Sequence, residues 1–142
     1  MPRSILIVED DRPTQALLVA LTNRCGYVAT SAFDGGAALR HIHDDQPDGM
    51  ILDLLLPVMS GLEILGELAV MNSDLICRTV VVTAAAESFY RDRPEIAACR
   101  AVLRKPFDID ELEHAMLSLF DGSDGDGGKK VRAGGTMRLK IV

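Results

Sequence analysis

Five residues of this sequence combine a chemically useful side chain with a place at the end of an apolar run. Glu9 and Asp10 follow Ile5-Leu6-Ile7-Val8, Asp53 follows Met50-Ile51-Leu52, Thr83 follows Val80-Val81-Val82, and Lys105 comes two residues after Ala101-Val102-Leu103. If those runs lie side by side in one sheet, all five residues share an edge. Three carboxylates meeting within about 5 Å would repel by roughly 3 kcal/mol per pair at an effective dielectric near 20, so positive charge has to stand among them. Lys105 supplies one such charge. Oxygen donors without His or Cys suit a hard ion that keeps part of its water, which favours Mg2+ over Zn2+.

The elements that must position these residues can be read from periodicity. Four of the apolar runs, together with a weaker one from Tyr27 to Ala32, predict five short strands, mostly apolar on both faces as buried parallel strands are. Helical patterns lie between them. Asp11 is placed to cap a first helix with Pro13 in its first turn and Leu17, Leu18 and Leu21 on one face, and Gly26 ends it. Ala38, Leu39 and Ile42 mark a second helix, and Leu62, Leu65, Leu68 and Met71 a third. The fourth, near residues 85–99, carries Pro94 and is expected to be short or broken. In the last, Asp108 and Glu111 form a capping-box-like pair ahead of a stripe of Ile109, Leu112, Met116 and Leu119. Strict alternation of strand and helix implies an α/β fold: a five-stranded parallel sheet with helices on both faces, right-handed crossovers, and a ligand site beyond the carboxyl ends of the strands.

Composition narrows the class further. The chain has 142 residues, a net charge of −6, 48% hydrophobic and 25% charged residues, which fits one globular domain. That domain is read as residues 1–120, followed by a Gly-rich and basic tail, residues 121–142, expected to be flexible. The acidic balance of the domain makes it a poor nucleic-acid binder. Lys129, Lys130, Arg132, Arg138 and Lys140 of the tail have glycines and no aromatic among them, which favours a solvated segment. The first apolar run is cut short by Glu9, Asp10 and Asp11, so neither a secretory segment nor a membrane span is expected, and the protein is read as cytoplasmic. Cys25, Cys77 and Cys99 lack metal-site spacing and are read as buried free thiols. His41, His43 and His114 fall on helix faces away from the five residues and receive no role.

VEDD at 8–11, DLLLPVMSG at 53–61, VVVTA at 80–84 and KPF at 105–107 resemble the receiver domains of bacterial response regulators in two-component systems. The likeness covers roughly residues 3–120, and the order and spacing of the motifs make it specific although each is short. It implies a flavodoxin-like (βα)5 receiver fold. It implies that Asp53 is the phosphoacceptor, that Asp10 binds Mg2+ directly and Glu9 mainly through water, and that the backbone carbonyl of Leu55 completes the protein ligands. Thr83 and Lys105 would each bond a phosphoryl oxygen, and the Lys105-Pro106 peptide would be cis. The implied donor is a sensor histidine kinase or a histidine phosphotransfer protein, with output through a downstream protein target or onward phosphotransfer, from a monomer or weak homodimer. The only catalysis expected is of its own phosphorylation and dephosphorylation.

One position departs from that pattern. Val102, three residues before Lys105, stands where the family commonly has Tyr or Phe that swings inward on phosphorylation. Phe89 or Tyr90, expected on the fourth helix, is the candidate to take over part of that task. The same departure supports a rival, an atypical receiver serving as a phosphorylation-independent docking module, against which the five intact site residues count. A second rival, an aspartate-nucleophile phosphatase, usually needs a carboxylate two residues after the nucleophile, and that position is Leu55.

Overall fold

The computed structural model describes residues 2–71 and 73–121; from residue 122 on, the tail reading lies outside the described residues. Five strands, β1 (Ser4–Val8), β2 (Val28–Ala32), β3 (Gly49–Leu52), β4 (Thr79–Thr83) and β5 (Ala101–Arg104), form one parallel sheet in the order β2-β1-β3-β4-β5. The helices are α1 (Arg12–Arg24), α2 (Gly35–Asp45), α3 (Gly61–Val70), α4 (Pro94–Ala97) and α5 (Ile109–Leu117), with 3-10 turns at Asp74–Arg78, Glu87–Phe89 and Ser118–Phe120. Among the described residues, no helix is long and apolar enough to cross a membrane.

Side-chain alternation along the strands divides the core in two. Leu6, Val8, Met50, Leu52 and Val81 point to a layer with Ala38 and Ile42 of α2 and Leu62, Ile64, Leu65 and Leu68 of α3. Ile5, Ile7, Ile51, Val80, Val82 and Leu103 point the opposite way, to Leu18 and Leu21 of α1 and Leu112, Ala115 and Met116 of α5. The strands are apolar on both sides because both sides are covered. The two edge strands, β2 and β5, are the partly exposed ones.

Local signals explain most boundaries. Asp11 caps α1 by accepting from the Thr14 amide at 3.1 Å, Pro13 sits in the first turn, and Gly26 (φ 93°) takes the left-handed backbone that follows the helix. The capping box forms at α3 instead of α5: Ser60 and Glu63 satisfy each other's backbone amides. At α5 the Asp108 carboxylate accepts from Asp110, so Glu111 is not its capping partner. α4 is a single four-residue helix starting at Pro94, and Phe89 and Tyr90 precede it, correcting their expected place on the fourth helix. Tyr90 is already buried in the core cluster against which Val102 packs, while Phe89 is about half exposed. The thiols also differ from expectation: all three are free, but Cys77 is exposed and Cys25 only partly buried, leaving Cys99 as the buried one.

Candidate functional site

The strand order puts β1 and β3 side by side, with Val8 opposite Leu52. The chain leaves β1 toward one face of the sheet and β3 toward the other, since α1 and α3 belong to opposite core layers. This divergence opens a crevice at the carboxyl ends of the strands. Glu9 and Asp10 sit on one lip and Asp53 on the other, tied by the Asp53 amide donating to the Val8 carbonyl at 3.0 Å.

Carboxylate oxygens of Glu9, Asp10 and Asp53 lie within 4.8 Å of one another. Glu9 and Asp53 are buried, at 1% and 5% exposure, and Asp10 is exposed. Lys105 bridges the two buried acids, its Nζ 2.8 Å from Glu9 Oε1 and 3.2 Å from Asp53 Oδ2. Burial raises the Glu9 carboxyl above its ordinary range, the Lys105 hydrogen bond offsets part of that, and the Asp53 charge adds to it. Burial works against the Lys105 charge as well, but the Glu9 hydrogen bond and the Asp53 charge outweigh it and hold the ammonium above its usual range. One cation facing three carboxylates leaves two negative charges uncompensated. An oxygen-only donor set open through Asp10 fits a hard divalent ion in that balance.

The remaining residues frame this cluster. The Leu55 amide donates to Asp53 Oδ1 at 3.0 Å, which places the backbone after β3 against the Asp53 carboxylate. Thr83 ends β4, on the strand next to β3, and is fully buried; its hydroxyl oxygen accepts from the Ala85 amide at 3.0 Å. The Lys105-Pro106 peptide is cis, as the resemblance implied. Gly61 lets the loop return over β3: its amide donates to the Leu54 carbonyl at 3.0 Å, and a Cβ there would stand 2.5 Å from the Asp53 carbonyl oxygen. Asp11 is occupied as the α1 cap, and its hydrogen bonds from Thr14 hold its carboxyl below the ordinary value. His41 and His43 pair with Asp45 and Asp44 on α2.

Sequence reasoning missed Gln15. It is 3% exposed, and its side-chain amide reaches the carbonyls of Ile7, Glu9 and Ala32 at 3.1–3.2 Å. A glutamine in an amphipathic helix gives no sequence signal of burial.

A sequence model of the response regulator receiver domain matches residues 5–117. Sporulation initiation phosphotransferase F of Bacillus subtilis is 34% identical over 82% of this chain and 92% of its own length. Response regulator MprA of Mycolicibacterium vanbaalenii is 34% identical over 90% of this chain, which spans only about half (54%) of that protein. Among solved structures, response regulator TrrA of Thermotoga maritima, crystallised in complex with Mg2+-BeF, superposes with a TM-score of 0.72 at 31% identity, covering 82% of this chain and 98% of that one. A CheY-like receiver domain protein of Methanospirillum hungatei has a TM-score of 0.74 at 25% identity, over 84% and 94% of the two chains.

Proposed function

The chain belongs to the response regulator receiver domain family of two-component signalling, and on that premise we propose that Asp53 is its phosphoacceptor, with Thr83 and Lys105 as partners of the incoming phosphoryl group. Glu9, Asp10, Asp53 and the Leu55 backbone carbonyl would hold Mg2+. The observation that carries this reading is the Lys105 ammonium between Glu9 and Asp53, next to three carboxylates within 4.8 Å. The metal, when bound, supplies positive charge against the oxygens of the transferred group.

The chain's own residues account for the rest. A carboxylate oxygen of Asp53 attacks the phosphorus of a phosphohistidine on a histidine kinase or a histidine phosphotransfer protein. The P–N bond breaks, the imidazole leaves with its electron pair and takes up a proton, and Asp53 becomes an acyl phosphate. Burial holds the acceptor in a fixed orientation, with the Leu55 amide on one oxygen and Lys105 on the other. As charge shifts onto the phosphoryl oxygens, Lys105 and the Thr83 hydroxyl are the donors available from the neighbouring strand ends. The added charge, about −2, acts on the segment after Thr83, and output passes to a downstream protein.

The test is incubation with Mg2+ and a small phosphodonor, read by intact mass. The wild type is expected to gain one phosphoryl group and Asp53→Asn none. Val102 favours a second reading, a docking module that works without phosphorylation. Absence of the adduct with both a small donor and a cognate kinase would decide for that module.

A further inference from the structure

We propose that Gln15 is a positioning residue for the acidic cluster: its side-chain amide clamps the peptide joining Glu9 to Asp10 and so sets where both carboxylates stand. The inference rests on the reading of that cluster as a Mg2+ site. Gln15 lies in the first turns of α1 and is almost wholly enclosed, so its amide has to find partners inside the protein. Nε2 lies 3.1 Å from the Glu9 carbonyl and 3.2 Å from those of Ile7 and Ala32, two amide hydrogens shared among three acceptors.

The Glu9 carbonyl is the significant one of the three. It lies past the end of β1 at Val8, and it belongs to the peptide whose nitrogen is that of Asp10. The Glu9 amide is held from the other side, donating to the Ala32 carbonyl at 3.1 Å, the same carbonyl that Gln15 reaches. Glu9 is therefore gripped at both its backbone groups, and the chain enters Asp10 from a fixed peptide. Gln15 Oε1 is buried without a hydrogen-bond partner. All the polar contact of this side chain is thus donation, directed at the strand tips. Leu or Met would fill the same space but leave the Glu9 carbonyl without this donor, so the donation is the property that distinguishes glutamine.

Groups that hold metal ligands in place typically change metal affinity by about 10–100-fold when removed. The full chain is titrated with Mg2+ by calorimetry as wild type, Gln15→Met and Thr22→Val, and each is melted in EDTA. Thr22 is a fitting comparison because it is fully buried in the same helix and its hydroxyl donates to the Leu18 carbonyl at 2.7 Å, away from the cluster. Gln15→Met is expected to weaken Mg2+ binding about 10-fold, whereas Thr22→Val lowers the melting temperature and leaves the Mg2+ affinity unchanged. A measurement on the wild type needs no variant to fold: the Gln15 side-chain amide resonances are expected to move during Mg2+ titration with the same midpoint as the Glu9 and Asp10 backbone amides. Wild-type affinity in a folded Gln15→Met, or Gln15 resonances that stay still through the titration, overturns the proposal. A wild type that takes up no Mg2+ removes the metal reading and this inference with it, a result distinct from a binding wild type with an indifferent variant.

Discussion

Replacing Lys105 with methionine keeps most of the stem and deletes the cation that touches two carboxylates. At an effective dielectric near 20, the contacts at 2.8 and 3.2 Å are each worth about 5–6 kcal/mol of attraction before desolvation. Enclosing the ammonium and ordering the side chain offset most of that. The variant nevertheless leaves Glu9 and Asp53 as unpaired anions inside the protein, and breaking such a pair costs about 3–5 kcal/mol. Lys105 keeps 22% of its side chain in water, so the lower end applies, about 3 kcal/mol at neutral pH in EDTA. The pH dependence has a definite sign. Burial and the Asp53 charge hold the native Glu9 carboxyl above 4.5, so stability from its protonation is fully present below 4.5 and is lost as pH rises through the raised native value. Without Lys105 that value climbs further, and the deficit is expected to shrink as the pH is lowered toward about 5. Mg2+ at ten times its dissociation constant is expected to return about 1.4 kcal/mol. Urea unfolding followed by circular dichroism, at both pH values and with EDTA or Mg2+, measures all of this. A variant as stable as the wild type at neutral pH in EDTA, or a deficit that ignores pH, would refute the reasoning.

Val58 is a β-branched residue with φ 65° and is 99% exposed; the left-handed backbone costs such a residue about 1–2 kcal/mol. Val58→Asn is therefore expected to raise stability by about 1 kcal/mol, and a lower melting temperature would show that no strain is stored there. A methyl group at Gly61 would press on the Asp53 carbonyl and the Leu54 Cα, at 2.5 and 2.8 Å. Gly61→Ala is expected to lose about 1–3 kcal/mol and to lower the yield of phosphorylated Asp53, measured by denaturation and by intact mass. Asp11→Ala removes the α1 cap and lowers the melting temperature at neutral pH. Because the native Asp11 carboxyl lies below 3.8, that gap is present above 3.8 and is expected to close as pH falls through the depressed native value.

Where the sequence carried a strong physical signal, the fold and the candidate cluster could be read from it. Apolar runs that stop at an acid, a threonine or a lysine mark strands whose tips reach solvent on one edge, which brought Glu9, Asp10, Asp53 and Lys105 to a common crevice. The stretch between β4 and β5 was less legible, because Pro94 and a single large aliphatic residue, Ile96, among small alanines give no period to follow. The sequence therefore foretold a short α4 and misplaced Phe89 and Tyr90. Asp108 and Glu111 have the capping-box spacing, yet the nearer Asp110 amide takes the Asp108 carboxylate, a competition that spacing alone does not resolve. Gln15 was invisible for a related reason, since its partners are backbone carbonyls that only folding brings near.

The face of the sheet that α2 and α3 cover is roofed unevenly along its width. α3 spreads ten residues over this layer, whereas α4 has four, and Tyr90, Ile96 and Cys99 join the same core cluster as Val81 and Val102. A stretch held by few regular backbone bonds opens at a lower free energy than the whole molecule. Residues 84–100 can thus rearrange as a separate flap while the strands beneath stay paired, and their amides will take up deuterium well before those of α3.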